Sequence, residues 1–376
     1  MATNAAGIIF SNLNNNTLSR MTAERTVAAI PFACRYRLVD FCLSNLVNAE
    51  VSNISIIANY NYRVLADHIG SGKDWDLARR KGGINLISPY STSRSASAKL
   101  YSTHMEALIN MQDYIRELRE DYVVIMDSDN VLNIDLRDVL RAHARTDANI
   151  TMVTMPITES YTSKHPRMMI SSVAGKVTDI ALSAAYKEGN PEVSLSIFVM
   201  RTSYLLRLIS EAEAYNLESL TNMLLKNFKS MNIRTYCYTG YVASVSSFLD
   251  YYRCSIELAK SEKARTSLLA KADAPIFTRV HNSAPTYYSR DSHVEGAMIA
   301  DDCVIEGTVI NSVLFRGVKV GAGAVVRDCV LLQGTTVGKE AQLTAIVTDQ
   351  DVTISRGATL AGNENIPFYI QRNRKV

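Results

Sequence analysis

Apolar positions recur in two different rhythms along the chain. Over residues 1–246, short aliphatic and β-branched runs alternate with segments of helical periodicity. AAGIIF (Ala5–Phe10), NISIIA (Asn53–Ala58), YVVIM (Tyr122–Met126), NITMVTM (Asn149–Met155), VSLSIFVM (Val193–Met200) and IRTYCY (Ile233–Tyr238) predict buried strands. Met105, Leu108, Ile109, Ile115 and Leu118 form one apolar stripe at helical spacing, with Glu106, Asp113, Arg116 and Glu117 off it. Leu136–Ala144 reads as a helix capped by Asp135, and Tyr204–Tyr215 and Leu220–Phe228 as two more. Strands alternating with helices predict an α/β fold, its sheet mostly parallel and covered on both faces. Ligands of such sheets sit beyond the carboxyl ends of the strands.

Residues 247–285 predict a helix (Ser247–Lys260) and then a linker, Lys271–Pro285, with two prolines. From 286 to 376 the helical rhythm stops. Val320, Val326; Val337, Leu343; and Ile354, Leu360 recur on a six-residue beat. Hexads of this kind build a parallel β-helix, each giving a short strand and a turn with the aliphatic residue inward, and the segment has room for about four coils. The beat slips around Glu306–Arg316, which predicts a loop or offset there. A sandwich would space its strands at roughly 8–12 residues, so the period favours the β-helix.

The 376 residues are 47% hydrophobic and 20% charged, a globular composition that excludes a disordered chain. A formal charge of +3 supplies no basic stripe for nucleic acid, and Arg372, Arg374 and Lys375 read as a solvated tail. No apolar run reaches the ~18 residues of a membrane span, and Met1–Phe10 lacks the charged flank of a secretory signal. Cys34, Cys42, Cys237, Cys254, Cys303 and Cys329 are scattered without metal-ligand spacing and read as thiols of a reducing, cytoplasmic compartment.

The string Ile30–Asn45, IPFACRYRLVDFCLSN, is similar to the PF-G-G-x-Y/F-R-L/I-I-D-F-x-L-S-N block of ADP-glucose pyrophosphorylase (glucose-1-phosphate adenylyltransferase). Asn59-Tyr60 with His68-Ile69, and Asp121–Leu136 (DYVVIMDSDNVLNIDL), resemble two further stretches of that family. The resemblance covers essentially the whole chain. It implies a Rossmann-like nucleotidyltransferase domain followed by a C-terminal left-handed parallel β-helix of hexapeptide repeats. It also implies the formation of ADP-glucose from ATP and glucose 1-phosphate. Such a transfer needs backbone N–H groups and cations on the phosphates and a divalent metal.

Each requirement meets a departure. The family's glycine-rich GG-x-G-x-R-L loop reads SNLNNNTL (Ser11–Leu18), without glycine and with Thr17 at the arginine. The R-A-K-P motif becomes Arg25-Thr26-Val27-Ala28, keeping the arginine and replacing the lysine by Val27. Asp129 stands at the first metal carboxylate and Ser244 at the second, with Asp127 a stand-in on the same strand end. A competing reading has Asp127 and Asp129 merely capping a strand end or turn. The lysine on the sugar phosphate becomes Ser183, within Leu182-Ser183-Ala184, and G-T-A-D-A becomes Thr103–Ala107. With Thr17, Val27, Ser183 and Ser244 in place of functional groups, no catalytic set is expected intact, and Asp129 is at most a vestigial metal ligand.

This pattern resembles the D-type regulatory subunit of bacterial glycogen synthesis. The resemblance implies a heterotetramer with a catalytic subunit, which alone would need Mg²⁺, and no cofactor for this chain. Arg35 and Arg37 alternate with Tyr36 on an extended run that puts both on one face. Arg35 falls where the family holds a phosphorylated-sugar effector. Both arginines are therefore effector-site candidates, against the alternative that Arg37 pairs with Asp40 at a domain junction. His68 and Trp75 read as packing residues. Two other functions compete. An active nucleotidyltransferase with a remodelled site would bring basic side chains such as Lys187 or Arg20 to the phosphates. A hexapeptide acyltransferase would have to use His293 and leave the large N-terminal domain unexplained.

Overall fold

A computed structural model describes residues 4–11, 18–79, 82–88, 101–215, 217 and 219–376. The first half is built on a nine-stranded sheet. Its strands are β1 (Ala5–Phe10), β2 (Asn53–Ile57), β3 (Gly83–Ile87), β4 (Tyr122–Asp127), β5 (Ile150–Pro156), β6 (Thr162–Val173), β7 (Lys176–Ala185), β8 (Glu192–Arg201) and β9 (Ile233–Cys237). Their order is β3-β2-β1-β4-β8-β5-β9-β7-β6. The sheet is mixed rather than mostly parallel. β3, β2, β1 and β4 run parallel, as do β5 and β9, while β8, β7 and β6 pair antiparallel. A tight turn at Ala174-Gly175, both at positive φ, joins β6 to β7 and makes the hairpin.

The helices are α1 (Leu38–Asn48), α2 (Arg63–Ile69), α3 (His104–Asn110), α4 (Gln112–Glu117), α5 (Leu136–Ala144), α6 (Thr202–Ala214), α7 (Leu220–Asn227), α8 (Phe248–Lys260) and α9 (Glu262–Leu269). The single stripe expected over 105–118 is thus two helices, broken at Met111. Alternate residues of β1 and β4 feed the two faces of the sheet. Ala5, Ile9, Val124 and Met126 join the core under α1 and α5, and Ile8, Phe10, Val123 and Ile125 the core under α3 and α6.

From Tyr287 the chain forms a left-handed parallel β-helix of three five-stranded sheets. Five rungs per sheet exceed the expected four coils. Val320 lies over Val337 and Val337 over Ile354, a spacing of 17, so these coils drop one residue from three full hexads, while the last, from Ile346 to Phe368, is longer than three hexads. At the slip the coil shortens further, to 15 residues between Ile305 and Val320, and no loop is inserted. Gly307 sits on that short corner, where an added Cβ would lie 2.5 Å from the Ala324 carbonyl oxygen.

The two halves share a core. Leu38 and Phe41 of α1, Tyr251 and Tyr252 of α8, and Val313, Val330, Leu332 and Val347 of the β-helix pack together, all fully or almost fully buried. Tyr252 donates its hydroxyl to the Asp328 carbonyl at 2.9 Å, and Lys260 bridges the Asp328 carboxylate at 2.7 Å. None of the described helices is long and apolar enough to cross a membrane.

Candidate functional site

The carboxyl ends of β1 and β4 meet where Phe10 pairs with Asp127. They open onto a cleft of about 330 Å³, lined by Asp127, Asp129, the β6–β7 hairpin, the bulged start of β8 and the N-terminal turn of α7. The bulge lies between Ser194 and Ile197, with Ser196 at φ 56°, and it turns both Ser194 and Ser196 toward the cleft.

The altered positions in and around this cleft are hydrogen-bonded to one another or to neighbours. Asp127 receives Nε2 of His104 at 2.6 Å, and the imidazole stands edge-on to Phe10. Asn130, next to Asp129, donates to that carboxylate at 3.0 Å. Its Oδ1 accepts Ser244 Oγ at 2.8 Å and Arg167 Nη2 at 2.9 Å. The short ribbon of Asn130–Leu132 with Val242–Ser244 fixes this register, and the Val245 N–H donates to the Asp129 carbonyl at 2.7 Å. Ser183 closes a local turn with the Ala185 carbonyl at 2.6 Å. Directly across the hairpin from Ser183 stands Arg167.

These contacts do not fit a divalent metal. Ser244, where a second carboxylate would be needed, bonds Asn130, Asp127 is engaged by an imidazole, and a guanidinium enters the same network. Among the described residues no three carboxylate, imidazole or thiol groups converge. Val27 points into the shared core, 2% exposed, so the lysine position of the motif lies away from the cleft. Arg25 does not face the cleft either. Its Nη2 bonds Asp349 at 2.7 Å, with side chains 4% and 6% exposed, and so ties the N-terminal half to the β-helix. Thr17 lies outside the described residues. Lys187 forms an isolated bridge with Asn190, and Arg20 stacks over Phe248.

Arg35 and Arg37 border a second cavity, of about 190 Å³, between the two halves. They do not lie on one extended run. The chain turns at Ala33 and Cys34, with φ of 47° and 60°, and only Tyr36–Arg37 is extended. Arg35 remains half-exposed and approaches Asp301 at 3.8 Å. Arg37 donates to the Ala29 carbonyl at 2.8 Å, and burial pushes its pKa down to about 10. Its pairing with Asp40 runs through its backbone N–H, at 2.9 Å, rather than its guanidinium. Asp40, fully buried, also binds His68 at 2.6 Å, and His68 packs edge-on against buried Trp75. Arg279 and Arg316 complete the cationic lining, with His281 beside them. Burial, then Arg316 and Arg279, hold His281 below its ordinary pKa.

Arg167, His165, Arg279, His281 and Arg316 were not legible as site residues in the sequence. For Arg167 one signal existed. Counting outward equally from the Ala174-Gly175 turn sets position 183 opposite 166, one residue from the Arg167 that the bulge between Val177 and Asp179 brings there.

Comparison with known proteins agrees with the architecture. Residues 14–180 match the nucleotidyl transferase family model, and residues 282–365 match that of the GlmU-like, C-terminal hexapeptide. The glycogen biosynthesis protein GlgD of Bacillus subtilis is 31% identical over 370 residues, covering 97% of this chain and 95% of the relative. GlgD of Geobacillus stearothermophilus is 34% identical, covering 85% and 82%. Glucose-1-phosphate adenylyltransferase of Bacillus thuringiensis is 27% identical, covering 93% and 92%.

Proposed function

The chain belongs to the family of GlgD glycogen biosynthesis proteins and glucose-1-phosphate adenylyltransferases, and we propose that it is a cytoplasmic, non-catalytic regulatory subunit of ADP-glucose synthesis. It works in a heterotetramer with a catalytic subunit, which carries the Mg²⁺-dependent transfer, and it needs no cofactor of its own. The observation that carries this reading is the wiring of the cleft. Ser244 bonds Asn130 where a metal carboxylate would be required, and His104 engages Asp127. Transfer to a nucleotide depends on neutralising phosphate charge at that point.

The second cavity supports the regulatory half of the proposal. Four arginines, Arg35, Arg37, Arg279 and Arg316, line one small space at the domain junction. Guanidinium forks suit a phosphorylated sugar. An effector there would touch both halves of the chain at once. The alternative reading, an active transferase with a remodelled site, draws support from Arg167, a cation that reaches the cleft from an unexpected strand.

The test is ADP-glucose formation from ATP, glucose 1-phosphate and Mg²⁺, with this chain alone and then with the catalytic subunit of the same cell, across sugar-phosphate concentrations. No product alone, with a raised rate or altered effector response together, is the expected result. Vigorous turnover by the lone chain sides with the alternative.

A further inference from the structure

We propose that the open first coil of the β-helix is the docking surface for a second copy of this chain, the two coils pairing edge to edge across a two-fold axis. The inference concerns a different surface from the regulatory reading and does not depend on it.

The first coil consists of Tyr287–Tyr288, His293–Glu295 and Met298–Ile299, each the terminal strand of its sheet. Each pairs with a neighbour on one side, in the second coil. The His293 N–H donates to the Gly307 carbonyl at 3.2 Å, and the Glu295 carbonyl accepts the Asn311 N–H at 2.9 Å. Alternation along the strand therefore turns the N–H and C=O of Val294 toward the open side. The N–H groups of Tyr287, Ser289, Met298 and Ala300 likewise donate to the second coil, which turns the backbone of Tyr288 and Ile299 to the open side too. The same three residues stand over Ile305, Val309 and Leu314, interior residues of the β-helix, yet Tyr288 is 50% and Val294 38% exposed. At the opposite end the chain covers one edge itself: the Val376 N–H donates to the Thr353 carbonyl at 2.9 Å, and the Ser355 N–H to the Val376 carbonyl at 2.6 Å. Among the described residues nothing does this for the first coil. An unpaired edge above apolar side chains is a template for another chain, and stacked repeats need their terminal coils covered.

The strand His293–Glu295 says what covers it. A two-fold axis through Val294, perpendicular to the β-helix, sets this strand antiparallel to itself. Val294 then exchanges both backbone hydrogen bonds with Val294 of the second copy. His293 meets Glu295 of the second copy, and Glu295 meets its His293, so the strand is its own charge complement. Within one chain these two side chains lie 3.6 Å apart on the exposed surface, flanking Val294. The same rotation sets Tyr287–Tyr288 against Met298–Ile299 of the second copy, so that Tyr288 and Ile299 close the apolar interior across the joint. Such a contact is isologous and stops at two copies.

The experiment is analytical ultracentrifugation of the full chain over a range of concentrations. The chain should dimerise reversibly. Val294→Arg puts two guanidinium groups on the axis and should weaken the dimer at least tenfold, with circular dichroism and the thermal midpoint as controls for folding. His293→Glu and Glu295→Lys should each weaken it severalfold. Mixing those two variants should restore the affinity, because the carboxylate introduced at 293 then meets the ammonium introduced at 295. Recovery on mixing decides the matter if Val294→Arg fails to fold. A chain that stays monomeric at every concentration, a dimer indifferent to Val294→Arg, or variants that fail to recover on mixing would overturn the proposal. So would an effect of Val294→Arg seen only when the catalytic subunit is added, which would give this edge to the other chain. The lone chain supplies the readout, so the result stands apart from whether it alters a partner's rate.

Discussion

The bond between Arg25 and Asp349 joins residues 324 positions apart, and it should dominate the stability of the domain junction. Asp349 accepts Arg25 Nη2 at 2.7 Å, the Gln350 N–H at 2.7 Å and the Tyr369 hydroxyl at 2.6 Å. Asp349→Asn keeps the shape and removes the charge, leaving a guanidinium in a space where it is 4% exposed. Breaking one side of a buried pair costs about 3–5 kcal/mol, because the surviving ion has neither water nor partner. Arg25→Met strands the carboxylate instead, and the Tyr369 and Gln350 donors soften that cost to about 3 kcal/mol. The double variant contains no stranded ion, so it should lose no more than about 3 kcal/mol, a coupling of about 3–5 kcal/mol. Trp75, the single tryptophan, is 1% exposed and reports on the N-terminal half. Urea unfolding followed by its fluorescence and by far-UV circular dichroism measures all four proteins. Single costs below about 1 kcal/mol, or costs that simply add, would refute the claim that the bond clasps the two halves.

Four further outcomes follow from local geometry. His143 is 2% exposed and bonds Thr151 at 2.8 Å; burial, with Arg201, pushes its pKa down to about 4. The unfolded chain therefore takes up a proton first, so stability should fall as pH drops from about 6.5 toward 4, by at most about 3 kcal/mol, and His143→Gln should flatten that part of the urea-midpoint profile. Ala174 is an exposed turn residue at φ 49°, and Ala174→Asn should raise stability by about 0.5–1 kcal/mol, read as a higher thermal midpoint. Gly307→Ala should cost about 1–3 kcal/mol on the same assay, since its Cβ would press on two carbonyl oxygens at 2.5 and 2.7 Å. His281 is held low by burial and by Arg316 and Arg279, and a bound phosphate would raise it again. Binding of a phosphorylated effector to that cavity should then tighten as pH falls below about 6.5, with proton uptake visible in calorimetry across buffers of different ionisation enthalpy.

Six of the nine strands of the first half were legible to within a residue, because each is an apolar run bounded by polar turns; β3, β6 and β7 were not, being short or largely polar and half-exposed. Helix α5 was legible for a different reason: its apolar residues face one core only, and Asp135 caps it by accepting the Arg137 N–H. Helix α1 was not legible. Val39, Cys42, Leu43 and Leu46 enter the core under the sheet, while Leu38 and Phe41 enter the core shared with the β-helix. A helix buried on two sides loses its amphipathic stripe, and its string reads as an apolar run. The direction of β8, β7 and β6 was equally hidden, since a strand's own pattern is the same in either orientation. In the β-helix the six-residue beat was visible, but the missing residue in the 17-residue coils showed only when registers were compared over several coils.

The cleft shows why lost motifs are a poor measure of lost order. A site decaying without constraint leaves polar groups facing one another unmatched, and unmatched buried groups are rare in folded proteins because each is costly. Here the departures interlock. The imidazole of His104 meets the carboxylate of Asp127, and Ser244 and Arg167 share the amide of Asn130. The motif read along the chain records a lysine lost at position 183; the sheet register supplies an arginine on the neighbouring strand, directly opposite it. Charge absent from a position in sequence can thus be present at that position in space. Among the described residues lining the cleft, the buried side-chain nitrogen left without a partner is His165 Nε2. It lies two residues along the strand from that arginine. A cleft whose substitutions satisfy one another keeps its polar groups paired, so a motif lost along the chain is not by itself order lost in the site.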